Sequence, residues 1–201
     1  MALSKRDKKG TIIALVILTL CLTTFPMILG ATEVREEYNF KVTEDDWTVT
    51  HRQRQNTYHF ELGKQVGPIN IMYRYADLNK TKENRIKFTA KLFSLGDKDE
   101  WGKVKVSGRV EYRHFTVGPN HWRARFITDY ERTIYGPVTG WIKWQPRVSF
   151  KNGTQVFDAR DQLGIKFKYN NLTIAPFYER SSVRHYDIKY YVAGAHITYK
   201  L

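Results

Sequence analysis

Lys103-Val104-Lys105-Val106-Ser107-Gly108-Arg109-Val110-Glu111-Tyr112-Arg113 alternates with a period of two. Its even positions are apolar or small and its odd positions polar or charged. Successive side chains of a strand point to opposite faces, so this segment has one apolar face and one strongly cationic face. His121-Trp122-Arg123-Ala124-Arg125-Phe126 and the stretch from Trp141 to Phe150 repeat the scheme. A soluble sandwich alternates in the same way, with its polar face toward bulk water. Whether the chain is exported helps to separate the two cases.

Residues 1–31 read as a Sec-type export signal. Lys5, Arg6, Lys8 and Lys9 form a basic stretch, Ile12 to Leu22 is an apolar core interrupted by Thr19, and Gly30-Ala31 supplies small residues. That order is the secretory pattern. Leu29 is bulky where a small residue is usual, and the competing reading is an uncleaved anchor, since about 18 apolar residues span a bilayer. Leu20 argues against lipidation of Cys21, because that position requires a small residue. Without residues 1–31 the net charge falls from +13 to +10, and 170 residues remain, enough for one domain at 32–201. They contain no cysteine, which excludes a disulfide scaffold. They also lack a second long apolar run, which excludes a helical membrane protein.

The alternation predicts strands at about 47–54, 57–64, 69–76, 84–93, 103–114, 121–131, 141–150, 162–170, 172–180 and 187–200, with a further short one at Tyr38 to Val42. Lys64 to Pro68 and Asn170-Asn171 read as short turns. Leu78 to Glu83, Lys151 to Asp161 and Ser181 to Tyr186 read as longer polar loops. Short turns at one end and long loops at the other describe an outer-membrane barrel, although Ser94 to Gly102 and Arg132 to Gly140 fit the short end poorly. Pro146 and Pro176 fall inside strands, where a missing N–H is disfavoured except at edges or bulges. The last strand ends on Ala195, Ile197, Tyr199 and Leu201, one face of a segment that would close the barrel and engage the barrel-assembly machinery.

A family resemblance rests on particular stretches. Thr48-Val49-Thr50-His51-Arg52-Gln53-Arg54, Tyr58-His59-Phe60-Glu61-Leu62 and Ile69-Asn70-Ile71-Met72-Tyr73-Arg74-Tyr75 resemble the opening of the oligogalacturonate-specific porins. Arg109-Val110-Glu111-Tyr112-Arg113-His114 and Pro176-Phe177-Tyr178-Glu179-Arg180 are similar to later strands of that family. The resemblance implies a small monomeric outer-membrane barrel, twelve-stranded, whose arginine-lined pore passes acidic oligosaccharides. The terminal Leu201, where Phe is usual, departs from the pattern.

With the apolar set facing outward, the opposite face collects Arg74, Lys105, Arg109, Arg113, Arg123, Arg125, Lys143 and Arg147 as candidate lumen and anion-binding residues. A charge on the lipid face would cost about 2–4 kcal/mol at mid-depth, which favours this orientation over its inverse. Rings of Arg and Lys attract anions, and the planar Arg fork suits carboxylate or phosphate. The same residues can instead form ion pairs that plug a narrow barrel.

Other motifs add little. Six histidines show no metal spacing, so no metal or cofactor is expected. Glu179, Ser181, Ser182 and His185 contain the residue types of a hydrolase but no strand-borne arrangement of them, so no enzyme is expected. Asn79-Lys80-Thr81, Asn152-Gly153-Thr154 and Asn171-Leu172-Thr173 match glycosylation acceptors. Interleaved aromatics and basic residues would suit nucleic acid, but export argues against that partner. The combined expectation is all-β: a transmembrane antiparallel β-barrel of ten or twelve strands in the bacterial outer membrane, with both termini on the periplasmic side. It would be monomeric, touch lipid and lipopolysaccharide, and pass small anionic solutes. The alternatives are a plugged surface barrel acting as receptor or adhesin, or an exported soluble β-domain.

Overall fold

The computed structural model describes residues 34–183 and 187–201. The expected export signal at 1–31 lies outside the described residues, as does His185. The described residues form eleven strands: β1 (Val34–Glu44), β2 (Trp47–Arg54), β3 (Thr57–Val66), β4 (Ile69–Asp77), β5 (Lys82–Leu95), β6 (Lys103–Phe115), β7 (His121–Tyr135), β8 (Val138–Lys151), β9 (Thr154–Tyr169), β10 (Leu172–Val183) and β11 (Asp187–Lys200). Each strand pairs antiparallel with the next, and β1 pairs with β11 to close a barrel.

The count is eleven rather than ten or twelve because the segment at 38–42 extends to a full strand. An odd number of up-and-down strands can close only through one parallel pair. Val34 accordingly lies opposite Tyr191 and Thr43 opposite Lys200. Val34 and Leu201 therefore lie at opposite rims, which corrects the expectation that both ends share a side.

The connections are shorter than the alternation suggested. Asn152 and Gly153 both have positive φ (48° and 74°) and join β8 to β9 directly, so the loop expected at 151–161 is mostly strand. An Asn-Gly pair tolerates that conformation and matches the twist of the flanking strands. Gly136-Pro137 turns β7 into β8, which places Arg132–Gly140 at a short end after all. The segment 96–102 is the longest connection among the described residues. Long loops at one end are thus absent among those residues.

Both prolines interrupt pairing without shifting it. The β7–β8 ladder runs from Arg125↔Arg147 to Thr128↔Trp144 in unchanged register, skipping the pair that Pro146 would make. The β9–β10 ladder passes Pro176 in the same manner, from Ile174↔Phe167 to Phe177↔Gly164. A missing N–H costs ladder bonds but does not require an inserted residue.

The outer surface is apolar around the full circumference. Phe40, Val49, Phe60, Ile71, Phe88, Val110, Phe126, Ile142, Leu163, Ile174 and Tyr199, one from each strand, are all exposed. Val106 was expected on this face, yet it is only 4% exposed. Among the described residues the interior is mostly polar, with single apolar residues such as Ile127 and one apolar cluster. Trp141, Phe177, Tyr190 and Val192 form a buried cluster on β8, β10 and β11. Two glycines make room for its rings. A Cβ at Gly164 would lie 2.9 Å from the Trp141 ring, and one at Gly194 would collide with the Glu37 carbonyl oxygen and approach Phe177 to 3.0 Å.

Gly194 faces β1 across the parallel seam, so Gly194→Val should overpack the joint by about 1–3 kcal/mol or more. Urea unfolding of the detergent-folded protein should show that loss. Gly63→Ala, whose Cβ would meet the flexible Met72 methyl at 3.2 Å and otherwise only ordinary contacts at 3.6 Å or more, should retain near-native stability.

Candidate functional site: the charged lumen

Alternation sends the odd residues of β6 and β7 inward, and the same rule on every strand builds a cavity of about 580 Å³ inside the barrel. Among the described residues, thirteen Arg and Lys line it against seven Asp and Glu. Arg74, Arg109, Arg113, Arg123, Arg125, Lys143 and Arg147 are among them. Lys105 is not. It reaches Glu131 at 3.2 Å, which also binds Lys166.

The shortage of acids forces sharing. Glu111, fully buried, lies 2.9 Å from Arg125, 3.2 Å from Arg85 and 3.9 Å from Arg109. Glu83 binds Arg85 at 2.7 Å and Arg113 at 2.6 Å. Glu61 holds Arg74 and, at 2.9 Å, the Lys87 ammonium. On the other side of the lumen Arg54 bonds to Glu37, reaches Glu179 at 3.3 Å and donates to the Tyr190 hydroxyl at 3.2 Å. Gln162 donates to Glu179 at 2.6 Å.

Register brings like charges side by side. Arg74, Arg85 and Arg113 occupy one rung across β4, β5 and β6. Arg109, Arg125 and Arg147 occupy another across β6, β7 and β8. Directly opposed like charges are destabilising in a sheet, so these rungs require counter-charge from carboxylates or solute. Arg123, which lies between them on β7, has no carboxylate in ion-pair range among the described residues and donates instead to Ser149 Oγ at 2.9 Å.

Several lumen groups escaped the sequence reading. Arg85 lies two residues before Lys87 on the same face, and the alternation Arg85-Ile86-Lys87-Phe88 would have found it. Asp158 and Arg160 were hidden by the loop assigned to 151–161, and Glu37 by the short estimate of β1. Ser181 and Ser182 are buried. Among the described residues no group of three or more His, Cys, Asp or Glu could hold a metal ion. No protein-family model matches the chain, and no curated protein matches it.

Removing Glu111 leaves Arg109 and Arg125 without a carboxylate partner among the described residues, while Arg85 keeps Glu83. Glu111→Gln should therefore destabilise the barrel by about 3–5 kcal/mol. Urea titration followed by far-UV circular dichroism in detergent measures this, and part of the loss should be recovered when phosphate replaces chloride in the buffer.

Proposed function

We propose that the chain is a membrane-spanning barrel of the bacterial outer membrane whose lumen passes small anions, acidic oligosaccharides among them. One observation carries the reading: an excess of Arg and Lys over Asp and Glu lines a cavity inside a wall whose outer face is apolar on every strand. A soluble barrel would place its apolar residues inside and its charges outside. Here the arrangement is inverted, as the bilayer demands, because a charge facing lipid costs about 2–4 kcal/mol at mid-depth. Cationic linings raise the local concentration of anions and repel cations. The acidic-sugar assignment draws on the resemblance to oligogalacturonate-specific porins. The odd strand count departs both from that family and from the even numbers usual in bacterial barrels. On this reading the rim lysines meet lipopolysaccharide phosphates, and β11 presents the segment that the barrel-assembly machinery engages.

A closed barrel is the second reading, favoured by the buried carboxylates Glu111 and Glu179 and by the apolar cluster at Trp141. Conductance separates the two. In planar bilayers the protein should be anion-selective, with selectivity falling as salt rises toward 1 M, where the screening length shrinks to about 3 Å. Replacing Arg109, Arg123 and Arg125 together with Ser should shift the reversal potential toward the cation value. Absence of any conductance would favour the closed barrel. Cation selectivity in the wild type would overturn the electrostatic argument.

Facing is testable separately. A cysteine at Phe126 should react with lipid-soluble probes, and one at Arg125 with small water-soluble ones. The reverse pattern would refute the orientation in a membrane.

A further inference from the structure

Arg109, Arg125 and Arg147 stand on one rung of three neighbouring strands, and Arg123 lies two residues from Arg125 on the same face. Strands lie about 4.8 Å apart, and the wall is concave toward the lumen. Side chains on one rung of such a wall converge on a single point. They do not present successive contacts along the axis, as a chain of uronic acids would need.

The local charge is unbalanced. Among the described residues, two carboxylates serve these four guanidinium groups: Glu111, which also holds Arg85, and Asp158, which binds Arg147. The remaining partners are neutral: Thr89 Oγ1 at 2.7 Å from Arg109, Ser149 Oγ at 2.9 Å from Arg123 and Gln145 Oε1 at 3.1 Å from Arg125. The Arg125 side chain is 8% exposed, lines the cavity, and its Nε has no hydrogen-bond partner. Two positive charges and several N–H donors are left over in one place.

We propose that this cluster is a binding site for a tetrahedral dianion, phosphate or sulfate, free or as a small phosphomonoester. The charge matches, and four oxygens arranged as a tetrahedron can accept from several guanidinium forks at once, which a single carboxylate cannot. The inference rests on the reading of the lumen as open to anions.

Calorimetric titration of the detergent-folded full chain with inorganic phosphate and with sulfate tests it without requiring conduction. The wild type should bind one equivalent saturably. Arg123→Ser should weaken binding about tenfold, and Arg123→Lys should restore part of it. Arg180→Ser, which removes a pair with Asp161 on the outer face, should leave binding unchanged. Arg123 holds no carboxylate, so its loss breaks no ion pair. Displacement of phosphate by glycerol phosphate would assign the site to phosphomonoesters, and failure of displacement would assign it to the free ion. No saturable binding to the folded barrel, or equal binding by Arg123→Ser, overturns the inference. An anion-selective channel without phosphate binding refutes this site but not the proposed function. A non-conducting barrel that binds phosphate does the opposite.

Discussion

Sharing of a few carboxylates among many guanidinium groups is the constraint on which the interior depends. Period-two alternation leaves no choice about where the charges go, because the residues between them are Val, Ile, Phe and Trp. Once the apolar set faces outward, every Arg and Lys of the opposite set must fit within one closed space. Unpaired charges there would each cost several kcal/mol. Glu111, Glu83 and Glu61 reduce that cost by each serving two or three cations at once. The balance still leaves positive charge on β6 to β8, where arginines occupy adjacent positions of the ladder.

Closure adds a second demand. The seam between β1 and β11 is parallel, and evenly spaced, slanted parallel bonds are slightly weaker per residue than antiparallel ones. Side chains reinforce the joint from within. Arg54 on β2 ties Glu37 of β1 to Glu179 of β10 and to Tyr190 of β11, spanning the seam with one guanidinium. Asn39 donates to Glu37 at 2.8 Å and lies 2.9 Å from His196 Nδ1, and the His196 ring stacks on Phe177 at 4.3 Å. Gly194 lets the two backbones approach where any Cβ would strike the Glu37 carbonyl.

Strand positions were legible because alternation is a local signal. The segments at 47–54, 69–76, 103–114 and 187–200 were placed to within about a residue at each end. The Asn152-Gly153 turn signal is legible too, but the polar residues that follow it read as a loop, which hides the first eight residues of β9 and with them Asp158 and Arg160. That the barrel closes was legible; how it closes was not. Strand number and the parallel seam depend on whether residues 34–44 add a strand, and that segment, with Glu36 and Glu37 adjacent, alternates imperfectly. The inward apolar cluster was also invisible, because Phe177 and Val192 look like lipid-facing residues until register places them opposite Gly164 and Glu179. Ion-pair sharing is a three-dimensional property of rungs, and no single strand contains it.

These features divide the lumen into two unlike walls. On β8, β10 and β11, Trp141, Phe177 and Val192 fill space with apolar rings and side chains that cannot hydrate an ion. On β4 to β8, guanidinium groups crowd together and their neutral partners are hydroxyls and amides. On the proposed reading, an anion entering the cavity would be held against the arginine wall both by attraction and by the loss of hydration it would suffer on the aromatic side. Lys143 and Lys166 link the two walls, since their ammonium groups lie 5.7 and 5.5 Å from the Trp141 ring while they also bind Asp129 and Glu131. The aromatic cluster thus does more than support the seam: its apolar surface fills part of the interior beside a cavity whose lining, among the described residues, carries thirteen Arg and Lys against seven Asp and Glu.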